Sequence, residues 1–90
     1  MTNATAILTA DQIIAAAKIV ETEIVDALRG IDLYPLRGDA KYNLVESVTG
    51  VSDRVAADQI ILESLVRMIE SGEFRFVRSG DEIVGITDAN

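Results

Sequence analysis

The apolar pattern of this chain changes period once. From Thr9 to Gly72, aliphatic residues recur at spacings of three and four. Beyond Gly72 they tend to alternate. The first spacing lines one face of a helix and the second one face of a strand. The chain is therefore expected to be mainly α with a C-terminal β-hairpin. With 90 residues there is room for one domain. We place it at residues 9–87, after an N-terminal arm (1–8) and before a frayed tail (88–90).

The first helix is the best marked. Thr9-Ala10-Asp11-Gln12 fits a capping box, and Leu8 and Ile13 stand where a hydrophobic staple forms. Ile13, Ala17, Val20, Ile24 and Leu28 make one apolar stripe, and Gly30 is expected to end the helix in a left-handed conformation. Residues 31–38 form a connector, open to a short edge strand, in which Pro35 cannot donate a hydrogen bond and pushes Tyr34 towards extended geometry. Ile31, Leu33 and Leu36 are expected to tuck inward. A second helix should run from Asp39 to Gly50 with Leu44, Val45 and Val48 inside. A third, capped by Ser52 or Asp53, should bury a stripe of Val55, Leu62, Val66 and Ile69, widened by Ile61, Leu65 and Met68. Arg54/Asp58 and Glu63/Arg67 are i,i+4 pairs of about 0.2–0.5 kcal/mol each.

The hairpin joins Phe74–Arg78 to Glu82–Ile86. A three-residue loop would put Phe74, Phe76, Val84 and Ile86 on one face. A two-residue Ser79-Gly80 loop would pair Phe76 with Ile83.

Composition narrows the chemistry. No cysteine means no disulfide framework and no thiolate metal site. No histidine removes the commonest general base. The glycines lie too far apart for a phosphate loop. Glu21/Glu23 and Asp81/Glu82, the nearest carboxylate pairs, read as solvated surface. We therefore expect no catalytic residue, no cofactor and no metal: the protein is read as a non-enzyme. The N-terminus lacks a positively charged leader, and no apolar run approaches the ~20 residues needed to cross a bilayer. A cytoplasmic location without membrane association is the expectation.

Helix, connector, helix, tight turn, helix and hairpin is also an order with a family behind it. Leu44-Val-Glu-Ser-Val-Thr-Gly-Val-Ser-Asp53, Leu65-Val-Arg-Met-Ile-Glu-Ser-Gly-Glu-Phe74 and Phe76-Val-Arg-Ser-Gly-Asp-Glu-Ile-Val84 resemble the second helix and turn, the end of the third helix, and the wing of a winged helix-turn-helix domain. The resemblance covers about residues 39–87. It implies a three-helix winged-helix-like fold. Without it, the same elements read as a three-helix bundle with an appended hairpin. The family implication for function is a dimeric transcriptional regulator on duplex DNA, with the third helix in the major groove and the wing on the backbone. On that alternative, Ser52, Arg54 and Gln59 would meet base edges, while Lys41, Arg75 and Arg78 would meet phosphates.

Charge argues against that use. The net charge is −7, and Ser52–Gln59 holds one Arg against two Asp. DNA affinity rests on cations that neutralise phosphates. A basic patch would need Arg37, Lys41, Arg54, Arg75 and Arg78 to converge. The favoured reading is an acidic protein-interaction module, an assembly subunit or a regulator docking on another protein. It is expected to self-associate through Ile14, Ile19 and Val25, which lie off the main stripe of the first helix.

Overall fold

The computed structural model describes residues 8–90; the expected arm over residues 1–8 lies outside them except for Leu8. Three helices and a small antiparallel sheet, whose first strand lies between the first two helices and whose hairpin follows the third, make an arrangement compatible with a winged helix. The helices are α1 (Ala10–Ala27), α2 (Ala40–Thr49) and α3 (Arg54–Glu70). The strands are β1 (Tyr34–Pro35), β2 (Phe74–Ser79) and β3 (Glu82–Asp88), in the order β1-β3-β2.

Two helices, α1 and α3, start at side-chain caps, whereas α2 follows Asp39 without a side-chain cap hydrogen bond. The Thr9 hydroxyl accepts from the Gln12 amide (3.1 Å) and the Gln12 side chain accepts from the Thr9 amide (2.9 Å), completing the capping box. Leu8 and Ile13 both pack on the core. Asp53 caps α3 by accepting from the Ala56 amide (2.9 Å). Gly50 ends α2 at φ 79°, a left-handed value that suits glycine. Gly30 does not act that way. The α1 helix closes earlier, through the Arg29 amide to Asp26 and the Gly30 amide to Ala27, the i→i−3 bonds of a tightening last turn.

The α1 stripe falls as its spacing dictates: Ala17, Val20, Ile24 and Leu28 are buried. They meet Val45 of α2, Ile86 of β3 and a face of α3 made of Ala57, Ile60, Ile61, Leu65 and Met68. That α3 face corrects the expectation. Val55 and Leu62 are each 64% exposed and Val66 is 39% exposed, with only Ile69 of that stripe packed on the core. The inner side of α3 is instead lined partly by small residues, Ala56, Ala57 and Ser64. The buried Ser64 hydroxyl lies 3.1 Å from the Ala17 carbonyl of α1 and 2.7 Å from the Ile60 carbonyl. Small side chains let α1 come close, and a rotation that buried Val55 and Leu62 would drive the two helices apart.

The hairpin takes neither expected register. Ser79 pairs with Glu82 across a two-residue Gly80-Asp81 turn, with Gly80 at φ 63°. Arg78 pairs with Ile83 but Val77 pairs with Gly85, so Val84 is the extra residue of a bulge. Phe76 then meets Ile86. Relative to the three-residue loop, the pairing has moved by two residues, which preserves facing. Phe74, Phe76 and Ile86 still pack inward, while Val84 leaves the core group. The edge strand exists: Tyr34 pairs with Ile86 and Pro35 with Gly85. Proline is tolerated there because β1 is an edge. Leu33 is half-buried and Leu36 packs on the core, but Ile31 is 45% exposed. Asp88, expected to start a frayed tail, pairs with Phe74, and the Ala89 amide donates to the Glu73 carbonyl (2.9 Å).

Candidate functional site

The surface to weigh is the one formed by α2, the turn before α3, the outer side of α3, and the hairpin. Gly50 and the Asp53 cap fix the turn, so α2 and α3 present their N-terminal halves side by side. Tyr42 of α2 sits at their junction. Its phenol donates to Asp58 Oδ1 of α3 (2.7 Å). The Arg54 guanidinium lies 4.5 Å and Lys41 Nζ 5.0 Å from its ring centre. The hydrogen bond to Asp58, followed by desolvation, pushes the Tyr42 phenol above its ordinary pKa. Arg54 also donates to Asp39 (3.2 Å), which raises its own pKa further.

The five cations considered for a basic patch therefore meet different fates. Arg37 forms a two-pronged contact with Glu82 at the hairpin tip (2.6 and 3.1 Å), which holds the Glu82 carboxyl below the usual range. Arg54 is matched by Asp39. Lys41 donates to the Leu36 (3.1 Å) and Gly38 (3.0 Å) carbonyls. Arg75 and Arg78 are exposed and form no ion pair among the described residues. The two cations best placed near α3 and the tip are thus neutralised within the molecule. Ser52 and Gln59 are exposed, as contacts to a groove would require. Neither i,i+4 pair expected on α3 forms: Arg54 takes Asp39, and Arg67 takes Glu21 of α1 (2.7 Å).

The outer side of α3 is apolar. At ~100° per residue, Val55, Gln59, Leu62 and Val66 fall on one narrow strip, opposite buried Ile60, Ser64 and Met68. The sequence spacing had registered this strip but assigned it inward. The residues that would have settled its direction are the small ones, Ala56, Ala57 and Ser64, whose weak hydropathy hides a close helix contact.

The three α1 residues expected to form a dimer face are not together. Ile14 is 38% and Ile19 47% exposed. At ~100° per residue they stand about 140° apart round the helix. Val25 packs on the core. Beside it, an open groove between α1 and α3 is lined by groups that pair among themselves, Arg67 with Glu21 and, more loosely, Arg29 with Asp26 (3.9 Å).

Among the described residues no three acidic side chains gather at metal-binding spacing, and no helix is long and apolar enough to cross a membrane. Comparison of the chain with family models, with curated proteins and with solved structures found no match.

Proposed function

We propose that this protein is a small, acidic, non-enzymatic interaction module with a winged-helix-like fold, and that it docks on another protein through the outer side of α3. The observation that carries this reading is the exposure of Val55, Leu62 and Val66 on the helix face that a winged helix offers to its target. Aliphatic side chains there gain free energy from removal of water, at roughly 25 cal/mol per Å² of apolar surface. They gain nothing from phosphates. The pairing of Arg37 and Arg54 with carboxylates supports the same conclusion, because a cation already neutralised in the protein releases few counterions from DNA.

Two experiments together test the reading. The first is a mobility-shift assay on random duplex DNA at about 50 mM salt and micromolar protein. The expected result is no shifted species. Binding that falls steeply with added salt, and that Arg75→Ala/Arg78→Ala abolishes, supports the alternative of a DNA-binding regulator. The second is a pull-down from the native cell type comparing the wild-type chain with Leu62→Asp. A partner retained by the first and lost by the second is expected. A partner set unaffected by Leu62→Asp overturns the assignment to α3.

A further inference from the structure

The outer strip of α3 has more order than exposure alone. Val55, Gln59, Leu62, Val66 and Ile69 follow one another at spacings of four, three, four and three. That is the alternation of a coiled-coil seam, in which Val55, Leu62 and Ile69 occupy d positions and Gln59 and Val66 occupy a positions. The strip is straight along the helix. It is solvent-exposed through Val66, and at Ile69 it turns into the core. Two heptads of seam are therefore offered to the outside, with one polar a position near the start.

The positions beside a seam decide its partner. Here the e positions are Ala56, Glu63 and Glu70, and the g positions are Asp58 and Leu65. Every charged residue among them is acidic. None forms an ion pair among the described residues, and Asp58 accepts only a neutral phenol hydrogen bond from Tyr42. The nearby cations are turned away: Arg54 to Asp39 and Arg67 to Glu21. Two copies of this face set against each other, parallel or antiparallel, would bring carboxylate rows together. Like charges at these positions act against self-pairing.

We infer that α3 docks an amphipathic helix of a different protein, one with apolar residues at heptad spacing flanked by Lys or Arg. This rests on the α3 docking reading above and specifies its partner. The apolar strip supplies the buried contact, the acidic flanks select a basic partner and reject a second copy, and Gln59 favours a single register by asking for a polar residue opposite.

The test uses the full chain and three synthetic helical peptides of three heptads each. The first has Leu at a and d and Lys at e and g, the second Leu at a and d and Glu at e and g, and the third the composition of the first in scrambled order. Binding is followed by peptide fluorescence anisotropy and by methyl chemical shifts of the protein. The Lys-flanked peptide is expected to bind, to shift the Val55, Leu62 and Val66 methyls, and to bind about tenfold more weakly to Leu62→Ser. The double reversal Glu63→Lys/Glu70→Lys changes only exposed or half-buried residues. It is expected to exchange the preference, so that the Glu-flanked peptide then binds better.

Three results overturn the inference. If both flanked peptides shift the α3 methyls equally, the docking face stands and the basic partner is wrong. If neither shifts them, the docking face fails as well. If the scrambled peptide binds as tightly as the ordered one, the contact is only charge attraction to an acidic protein. Sizing by light scattering gives a fourth arm: a concentration-dependent dimer abolished by Leu62→Ser makes the occupant a second copy and contradicts the argument from charge.

Discussion

Gly85 is where β3 comes closest to Leu33 and the backbone of β1, and replacing it with alanine is the sharpest perturbation the fold offers. A Cβ built there would stand 2.4 Å from Leu33 Cδ1, 2.7 Å from Leu33 Cγ and 2.7 Å from the Tyr34 carbonyl oxygen. Favourable carbon contacts begin near ~3.5 Å, so the overlap is about 1 Å. Leu33 can turn aside. The Tyr34 carbonyl cannot, because β1 is pinned by its pairing with Ile86 and Gly85, by the Leu36 amide to the Val84 carbonyl (3.0 Å), and by the Thr87 hydroxyl to the Asp32 carbonyl.

Overpacking of this kind costs about 1–3 kcal/mol, and loosening one β1 hydrogen bond adds about 1 kcal/mol. We expect Gly85→Ala to destabilise by about 2–4 kcal/mol. For a domain of this size each kcal/mol lowers Tm by roughly 4–8 °C. Gly50→Ala is the control: it has open space around it but sits at φ 79°, where a side chain costs about 1–2 kcal/mol. Urea unfolding followed by helical circular dichroism measures both. Adding Leu33→Ala to Gly85→Ala should recover only part of the loss, since the backbone clash stays. A Gly85→Ala cost below that of Gly50→Ala, or full recovery in the double variant, refutes the reasoning.

Other expectations concern the helices and the hairpin tip. Leu62→Ser should change stability by no more than about 0.5 kcal/mol, whereas Ile60→Ala, on the opposite side of the same helix, should cost about 2–5 kcal/mol; thermal unfolding of the pair is the check. Ser64→Val should cost about 1–3 kcal/mol in the same assay, because the larger side chain wedges α1 from α3. The Glu82 carboxyl should titrate below an ordinary glutamate by carbon-detected NMR, and return towards the usual value in Arg37→Ala. Its folded pKa is depressed, so the small stabilisation it gives is present above the unfolded value near ~4.3 and is lost as pH falls through the folded one. Salt should weaken it, since both partners face water.

How far the sequence could be read depends on which physical signal each element carries. Caps are local: Thr9 with Gln12, Asp53, and Gly50 satisfy or end helix groups a few residues away, so three helices could be placed from spacing alone. Facing is not local. On α3, Val55, Ile60, Ile61, Leu62, Leu65, Val66, Met68 and Ile69 offer two apolar stripes. The choice between them is made by Ala56, Ala57 and Ser64, which permit close approach to Ala17 of α1. Ranking by hydropathy favours the wrong side.

The same reversal sets the candidate site, because Val55, Leu62 and Val66, apolar enough for a core stripe, form the exposed strip. The bulge at Val84, opposite Val77 and Arg78 of β2, had a marker in the isolated Gly85 inside a strand pattern, whereas the pairing of Gly85 with Pro35 of β1 joins residues fifty apart. Ion pairs were the least legible. Arg54 and Arg67 each had a carboxylate four residues away on the same helix, yet each pairs across the fold, Arg54 with exposed Asp39 just before α2 and Arg67 with half-buried Glu21 of α1.

Docking through α3 requires that the helix turn its Val55–Val66 strip to solvent. Solvent paramagnetic relaxation of the side-chain methyls, measured with a neutral soluble gadolinium chelate, reads that direction residue by residue. Strong relaxation of the Val55, Leu62 and Val66 methyls, with Ile60, Leu65 and Met68 protected, is the expected pattern. Protection of Val55 and Leu62 in the free protein, with Ile60 or Met68 relaxed instead, would contradict it.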